Sequence, residues 1–249
     1  MTARSTPATF GVVAGSAAFL VGQVLSTVLF ATVGIALAPL PFRLRYRFIT
    51  GWTRFNLWWL AATCRLRHRV SGAENIPAAP AVVLAKHESA WETLALQTLF
   101  VPQSWVLKRE LLRIPFFGWG LALLRPIAID RATGREAVRQ LIVQGRRRLV
   151  EGSWVVVFPE GTRMPPGVRG AYHKGGAVLA KRAGSVVVPI AHNAGDFWPR
   201  RSFLKWPGTI DLVVGPPIAT ADKSSEEVIE RAADWIEATL RRIRAGGGP

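Results

Sequence analysis

Residues 154–163 read WVVVFPEGTR, and this stretch predicts the centre of the fold. Trp154–Phe158 is a continuous apolar run, which is typical of a strand buried on both faces of a sheet. The loop that follows contains Gly161, which lets a ligand approach the backbone closely. Thr162 offers a hydroxyl donor, and Arg163 offers a planar fork that matches phosphate. The sequence therefore predicts an anion cradle after a central strand, with an ordinary basic turn as the alternative.

Similar short apolar runs occur on both sides of this stretch, separated by patterns of helical period. The further predicted strands are Ala81–Ala85, Ser104–Lys108, Pro126–Asp130, Ser185–Ile190 and Thr209–Val214. Helices are predicted near residues 90–100, 133–150, 174–183 and 225–243. Gly184 suits the end of the third helix, and Ser224 with Glu227 forms a capping box for the fourth. Alternating strands and helices predict an α/β fold in which a layered sheet is flanked by helices on both faces.

An uncharged N-terminal segment precedes this domain. No charged residue lies between Ser5 and Phe42, and the apolar part is longer than the roughly 20 residues that span a bilayer. A cleaved signal peptide is the alternative, because Ala36–Ala38 resembles a cleavage site; the length of the apolar part and Pro39 argue against it. Phe42–Leu60 is predicted as a second, amphipathic helix. We expect a membrane-inserted helical region at residues 1–62 and an α/β domain at 63–249.

The charge balance narrows the classes of partner. The chain has 32 Lys and Arg against 16 Asp and Glu, together with ten Trp. A basic surface attracts nucleic acid, anionic lipid or phosphorylated substrates, and the tryptophans favour a bilayer. Arginines are frequent after residue 42 and nearly absent before it, which predicts a cytoplasmic-membrane protein with its active domain on the cytoplasmic side. The single cysteine, Cys64, excludes an internal disulfide framework and a cysteine-based metal site.

A second polar string, KHESAWET at residues 86–93, follows the strand Ala81–Ala85. Residues five apart on a helix point about 140° apart, so His87 and Glu92 meet only if His87 lies in the loop and Glu92 in the first helical turn. The carboxylate would then orient the imidazole as a general base. Alternatively, Glu92 caps the helix with Ser89, His87 is a structural histidine, or Glu88 is the partner of His87.

Lys174 stands in the string YHKGG, directly before a predicted helix. Its charge beside exposed backbone amides could add to an anion site. An ordinary basic turn is the alternative for this residue.

The two strings together, 73 residues apart from His87 to Glu160, resemble the acyltransferase family of glycerolipid synthesis, which includes the 1-acyl-glycerol-3-phosphate acyltransferases. The family's first motif is His, four residues and Asp, and its third, FPEGTR, is identical to Phe158–Arg163. Lys108–Leu111 and Ile127–Arg131 are similar to its second block, and Val187–Ile190 to its fourth. The resemblance extends from about residue 70 to 215. Two departures are Glu92 in place of Asp and Arg125 where the family often has Gly.

The resemblance implies that His87 deprotonates the free hydroxyl of 1-acyl-glycerol-3-phosphate, which attacks an acyl-carrier-protein or acyl-CoA thioester to give phosphatidic acid in phospholipid biosynthesis. It implies that Glu92 orients His87 and that Glu160 and Gly161 shape the acceptor site. It also implies a phosphate grip, whose members are Arg163, Lys108, Lys174 and Arg131, beside Thr162.

Membrane lipids are expected partners, whereas nucleic acid, a metal ion and an organic cofactor are not. The alternatives are an enzyme with another acceptor, such as glycerol-3-phosphate or a lyso-aminolipid, and a non-enzymatic basic protein that binds membranes or nucleic acid. A hydrolase is less favoured, since the sequence contains no G-x-S-x-G elbow.

Overall fold

The structure, a computed structural model, describes residues 8–130 and 133–246. Within these residues, seven strands form one sheet. The strands are β1 (Leu66–Ser71), β2 (Val82–Ala85), β3 (Gln103–Lys108), β4 (Ile127–Ile129), β5 (Trp154–Val157), β6 (Val187–His192) and β7 (Gly208–Val214). The α-helices are α1 (Phe10–Ala36), α2 (Phe42–Ile49), α3 (Gly51–Cys64), α4 (Trp91–Leu99), α5 (Phe117–Ala122), α6 (Arg135–Val150), α7 (Gly175–Arg182) and α8 (Ser225–Arg244).

The strand order across the sheet is β1-β7-β6-β2-β5-β3-β4. All neighbouring strands are parallel except β6 and β7, which are antiparallel. The five strands from β6 to β4 therefore run in one direction, and their carboxyl ends meet at one edge. Loops at such an edge form the ligand-binding crevice of open α/β sheets.

Helices cover both faces of the sheet. Successive strand residues point to opposite sides, so the apolar strands place side chains in a core on each face. Val83, Val156 and Val188 pack in one core with apolar residues of α1 to α4. Val82 and Val155 pack in the other core with residues of α6, α7 and α8. The predicted α/β layered fold is thus confirmed.

Most predicted elements are present, with strand ends that differ by at most two residues. The capping box of α8 is formed, since Ser224 Oγ accepts from Glu227 N and Glu227 accepts from Ser224 N. Strand β1 and helix α5 were not predicted. One expectation was wrong, since the single helix expected at Phe42–Leu60 is two helices. The break lies at Thr50, whose hydroxyl bonds to the Tyr46 carbonyl, and at Gly51, a weak helix former.

Helix α1 is the single helix in the described residues that is long and apolar enough to cross a bilayer. One side of it packs on the rest of the protein along most of its length, through buried Ser16, Phe19, Ser26, Ala31 and Gly34. Its opposite side exposes large apolar residues to the surroundings. The predicted membrane-associated N-terminal segment is therefore a helix that also belongs to the protein core.

Candidate active site

His87 lies just beyond the carboxyl end of β2, the strand between β5 and β6. Its ring stacks on Phe158, with the ring centroids 4.1 Å apart. Because Phe158 follows β5, the two motifs predicted to lie at strand ends meet at the same edge of the sheet. The His87 side chain is only 15% exposed and faces a pocket.

Glu92 contacts the imidazole of His87. His87 Nδ1 lies 2.7 Å from Glu92 Oε1, and Glu92 is in the first turn of α4, as the helical geometry requires. The same carboxylate accepts hydrogen bonds from the backbone amides of Glu88 and Ser89. One carboxylate thus contacts both the histidine and the turn before α4. The predicted capping box of Ser89 with Glu92 is not formed, because the N-cap of α4 is Ala90 and Ser89 Oγ accepts from Trp91 N.

Glu92 is fully buried, yet its surroundings favour the charged carboxylate. Burial alone would raise the pKa of Glu92, but the neighbouring histidines His192 and His87 and the hydrogen bond from Ser89 outweigh burial, and its pKa lies below the ordinary value. A carboxylate held in this way stabilises a positive charge on the neighbouring imidazole. Because Nδ1 of His87 faces Glu92, the other ring nitrogen, Nε2, is left for the pocket.

Glu88 is not the partner of His87 in this structure. Its carboxylate points away and lies 2.8 Å from the guanidinium of Arg244 on α8. Neighbouring side chains in a loop diverge, and here they contact different elements.

The FPEGTR loop wraps around the backbone of His87. Gly161 has φ of 66°, a conformation that favours glycine, and Met164 N donates to the His87 carbonyl at 2.7 Å. Glu160 is buried, and its Oε2 accepts from His87 N at 3.1 Å. Glu160 therefore supports the loop that carries the histidine instead of facing the pocket.

A pocket of about 660 Å³ opens beside His87 and has two chemically distinct parts. Its polar part includes His87, Lys108, Gly161, Thr162, Arg163, Arg200 and Arg201. Its apolar part is lined by residues of α1, α3, α4, β3 and α5, among them Phe30, Ala31, Trp52, Leu94, Trp105, Phe117, Leu121 and Leu124. The pocket therefore offers cationic groups for an anion and apolar surface for a hydrocarbon chain, and His87 belongs to the same lining.

Arg163 lines this polar part of the pocket. Its Nε is buried and has no hydrogen-bond partner in the described part of the chain, while its carbonyl accepts from Arg200 Nη1. A buried donor without an acceptor costs free energy.

Lys174 lies apart from the pocket that Lys108 and Arg163 line. It stands at the start of α7 and forms an ion pair with Glu226 of α8. The structure therefore does not bring Lys174 together with the other described members of the predicted phosphate grip, and its role there stays a prediction. Arg131 lies outside the described residues.

Arg200 and Arg201 were not predicted as site residues, yet both line the pocket. They lie in the loop between β6 and β7, and Arg201 has φ of 60°. The only signal in the sequence is an adjacent pair of arginines, which has little weight in a chain with 32 basic residues.

Comparison with known proteins agrees with this geometry. The family model described as Acyltransferase matches residues 67–193. The 1-acyl-sn-glycerol-3-phosphate acyltransferase of Pseudomonas aeruginosa is 48% identical over 223 residues, which cover 88% of this chain and 87% of that protein. The human 1-acyl-sn-glycerol-3-phosphate acyltransferase alpha is 31% identical over 196 residues, covering 73% of this chain and 66% of that protein.

The fold is also similar to the crystal structure of the 1-acyl-sn-glycerophosphate (LPA) acyltransferase, PlsC, from Thermotoga maritima. The TM-score is 0.77 at 22% identity, and the match covers 93% of this chain and 95% of that one. The family model spans the strands that carry both His87 and Arg163, and a relative is 48% identical over most of the length. This chain therefore belongs to the acyltransferase family.

Proposed function

We propose that the protein transfers an acyl group from a thioester, acyl-carrier protein or acyl-CoA, to the free hydroxyl of 1-acyl-glycerol-3-phosphate, giving phosphatidic acid. The observation that carries the proposal is the His87–Glu92 pair at 2.7 Å beside a pocket with one cationic and one apolar part. An acceptor with a phosphate and a donor with a hydrocarbon chain supply the matching chemistry. The bacterial and human relatives are 1-acyl-sn-glycerol-3-phosphate acyltransferases, which supports the same acceptor.

The reaction needs one base and accurate positioning, since a thioester is already activated. His87 Nε2 takes the proton of the acceptor hydroxyl, whose oxygen attacks the thioester carbonyl. Glu92 stabilises the imidazolium that results. As the carbon–sulfur bond breaks, the thiolate leaves and receives the proton from His87, so no acyl-enzyme forms.

The acceptor phosphate is assigned to the cationic part of the pocket. Arg163 and Lys108 were expected there, and Arg200 and Arg201 add two further guanidinium groups. Guanidinium groups bind phosphate through charge-assisted, often bidentate hydrogen bonds. Binding energy from the remote phosphate holds the reacting hydroxyl near the base. Glu160 acts on the site through the loop that it supports.

We also propose that α1 lies in the plane of the membrane surface instead of crossing it. Near its start, Ser16 Oγ accepts from Lys205 N at 2.9 Å, and near its end Gly34 lies against Ile49 and Leu123. A helix held by the domain near both ends keeps one side on protein and offers the other to lipid. The excess of basic residues supports an active domain on the cytoplasmic face, because the anionic lipids of that leaflet attract basic segments.

The proposed function is tested by acyl transfer from labelled thioesters to lysophosphatidate in detergent micelles, with wild type and His87→Ala. We expect phosphatidic acid from wild type with at least one donor and none above background from the variant. Glycerol-3-phosphate and a lyso-aminolipid are tested in parallel. Strict preference for an acceptor without phosphate would contradict the assignment of the cationic part, and normal turnover by His87→Ala would contradict the general base.

A further inference from the structure

The residues on either side of His87 both form ion pairs with the last helix, α8. Lys86 Nζ lies 2.8 Å from Glu237 Oε1, and Glu88 Oε2 lies 2.8 Å from Arg244 Nη2. Glu237 and Arg244 are seven residues apart, and so they lie on the same face of α8 about two turns from each other. The helix therefore contacts the histidine loop at two points that bracket His87.

Lys86 links α8 to the backbone of His87. Its side chain is buried, and its three ammonium donors find Glu160 Oε1 at 2.7 Å, the Val168 carbonyl at 2.9 Å and Glu237 Oε1 at 2.8 Å. Glu160 in turn accepts from His87 N at 3.1 Å. A continuous buried network thus runs from α8 through one ammonium and one carboxylate to the amide of the histidine.

Arg244 fixes the other side of the loop. Glu88 is buried, and Arg244 Nε also lies 3.1 Å from Asp196 Oδ2 in the turn after β6. The guanidinium therefore joins the histidine loop to the neighbouring strand end. None of these contacts touches the pocket or the imidazole ring.

We propose that Glu237 and Arg244 of α8 are positioning residues, which hold the backbone on both sides of His87 so that its ring stays aligned between Glu92 and the pocket. The inference rests on the proposed function, in which His87 is the base. A reacting group must be held within a fraction of an ångström of its productive position. A loop with two flanking ion pairs to a rigid helix meets that requirement, and the pocket-lining cations are left to bind substrate.

The proposal is tested with Glu237→Gln and Arg244→Gln, each with a matched control on the same helix. The controls are Glu230→Gln and Arg241→Gln, since both residues are exposed on α8. Glu237→Gln keeps the size of the side chain, and Lys86 retains Glu160, so no buried ammonium loses all its charged partners. We expect kcat to fall by about tenfold to a hundredfold in both test variants, with KM for lysophosphatidate within about twofold. The controls should match wild type.

Hydrogen exchange measured by mass spectrometry supplies a readout that needs no activity. Peptides covering residues 86–92 should exchange faster in both test variants than in wild type, while peptides from β6 should be unchanged. Folded variants with wild-type kcat, or with wild-type exchange at residues 86–92, would overturn the proposal.

The same design separates the two hypotheses. If wild type forms no product with any donor or acceptor, the proposed function fails, and exchange at residues 86–92 still decides whether α8 holds the loop. If Glu237→Gln loses its fold, as faster exchange throughout β6 would report, Arg244→Gln and Tyr172→Phe take its place. The latter removes only the hydroxyl that donates to Glu237 at 2.9 Å. Wild-type kcat in both would then overturn the proposal.

Discussion

The Glu92 carboxylate makes two contacts, one with the turn before α4 and one with His87. It accepts from the Ser89 amide at 2.9 Å and lies 2.7 Å from His87 Nδ1. The first contact requires an acceptor, and the second requires a negative charge when the imidazole becomes protonated. Substitutions that change charge and length separately can distinguish the two requirements.

We therefore expect Glu92→Gln to lower kcat by about a hundredfold or more, the lower range of general-base effects. The amide keeps the size of the side chain but lacks the charge that stabilises an imidazolium. Glu92→Asp should retain more activity, because the charge remains and only one methylene is lost. Steady-state kinetics check both variants against Glu74→Gln, an exposed control. Equal activity of Glu92→Gln and Glu92→Asp would leave only the contact of Glu92 with the turn before α4.

Arg163 and Lys174 make a contrasting pair, since only Arg163 lines the pocket. A hydrogen bond to a charged group contributes about 1.5–3 kcal/mol. Arg163→Ala should therefore raise KM for lysophosphatidate by at least about tenfold, with a smaller change in kcat. Lys174→Ala removes a surface ion pair with Glu226 and should leave both constants near wild type. A raised KM for lysophosphatidate in Lys174→Ala would instead show that Lys174 contributes to phosphate binding.

The buried carboxyl of Glu88 should make the free energy of unfolding fall as the pH rises. Burial raises the pKa of Glu88 from 4.5 to about 7, although the guanidinium of Arg244 opposes the shift. Between these pH values the folded chain keeps a proton that the unfolded chain has released. The free energy of unfolding contributed by Glu88 therefore falls as the pH rises through this window, by about 3 kcal/mol in all.

Glu88→Gln tests this sign, because glutamine resembles the protonated acid and does not titrate. The free energy of unfolding of both proteins is measured with denaturant at pH 5 and pH 8. The difference, variant minus wild type, should be up to about 3 kcal/mol larger at pH 8 than at pH 5. Taking the difference between the two proteins removes the other titrating groups. Parallel stability profiles would contradict the raised pKa.

At the scale of the elements, α1 forms one wall of the pocket. Ala31 is 5% exposed, lines the pocket and lies against Gly120 of α5. Ala31→Phe should fill part of the apolar space, so kcat/KM should fall for long acyl donors while short donors react as before. One methylene is worth about 1–3 kcal/mol in such a site. The ratio of long to short donors should change by at least about tenfold.

Thr32→Phe is the matched control for this pocket prediction, since Thr32 is the next residue of α1 and is exposed. It adds the same aromatic ring to the same helix, but on the side that faces away from the pocket. Competition between donors of different chain length measures the ratio in a single reaction. An unchanged ratio in Ala31→Phe would remove α1 from the acyl site.

The elements that the sequence predicted correctly are those with a strong local signal. Helix α8 has a capping box and an apolar stripe, in which Val228, Ile229 and Ala232 are buried. Strand β1 escaped prediction because LRHRVS lacks that signal. It is an edge strand that pairs with β7, and charged side chains are typical of such edges. Its existence depends on a partner about 140 residues later in the chain.

The site was predicted where residues close in sequence carry it and missed where distant loops meet. His87 and Glu92 share one short string, and Gly161 to Arg163 share another. Arg200 reaches the pocket only because the loop after β6 folds back on the Arg163 carbonyl. Lys174 lies apart from the pocket, because it pairs with a carboxylate on α8. Long-range contacts of this kind leave no local pattern in a sequence.

At the scale of the whole molecule, the position of α1 determines how the enzyme meets lipid. The division of the chain at residues 62 and 63 stays a prediction. The helix shares a core with the sheet, since Phe19 packs edge-on against Trp198 with the ring centroids 5.3 Å apart. Lys205 Nζ lies 5.1 Å from the centre of the Phe19 ring. This packing along one side of α1 is the observation behind the proposed in-plane position of the helix.

Depth measurements in vesicles can separate an in-plane helix from a spanning one. Phe10 and Val28 lie on the same face of α1, 18 residues and about 27 Å apart along the axis, and both are exposed. Spin labels at Phe10→Cys and Val28→Cys, placed one at a time in a Cys64→Ala background, should report similar depths near the headgroups. A label at Val150→Cys, an exposed site on α6, should report water. If α1 spans the membrane, the two labels on it should instead differ in depth by most of the 27 Å or so between them.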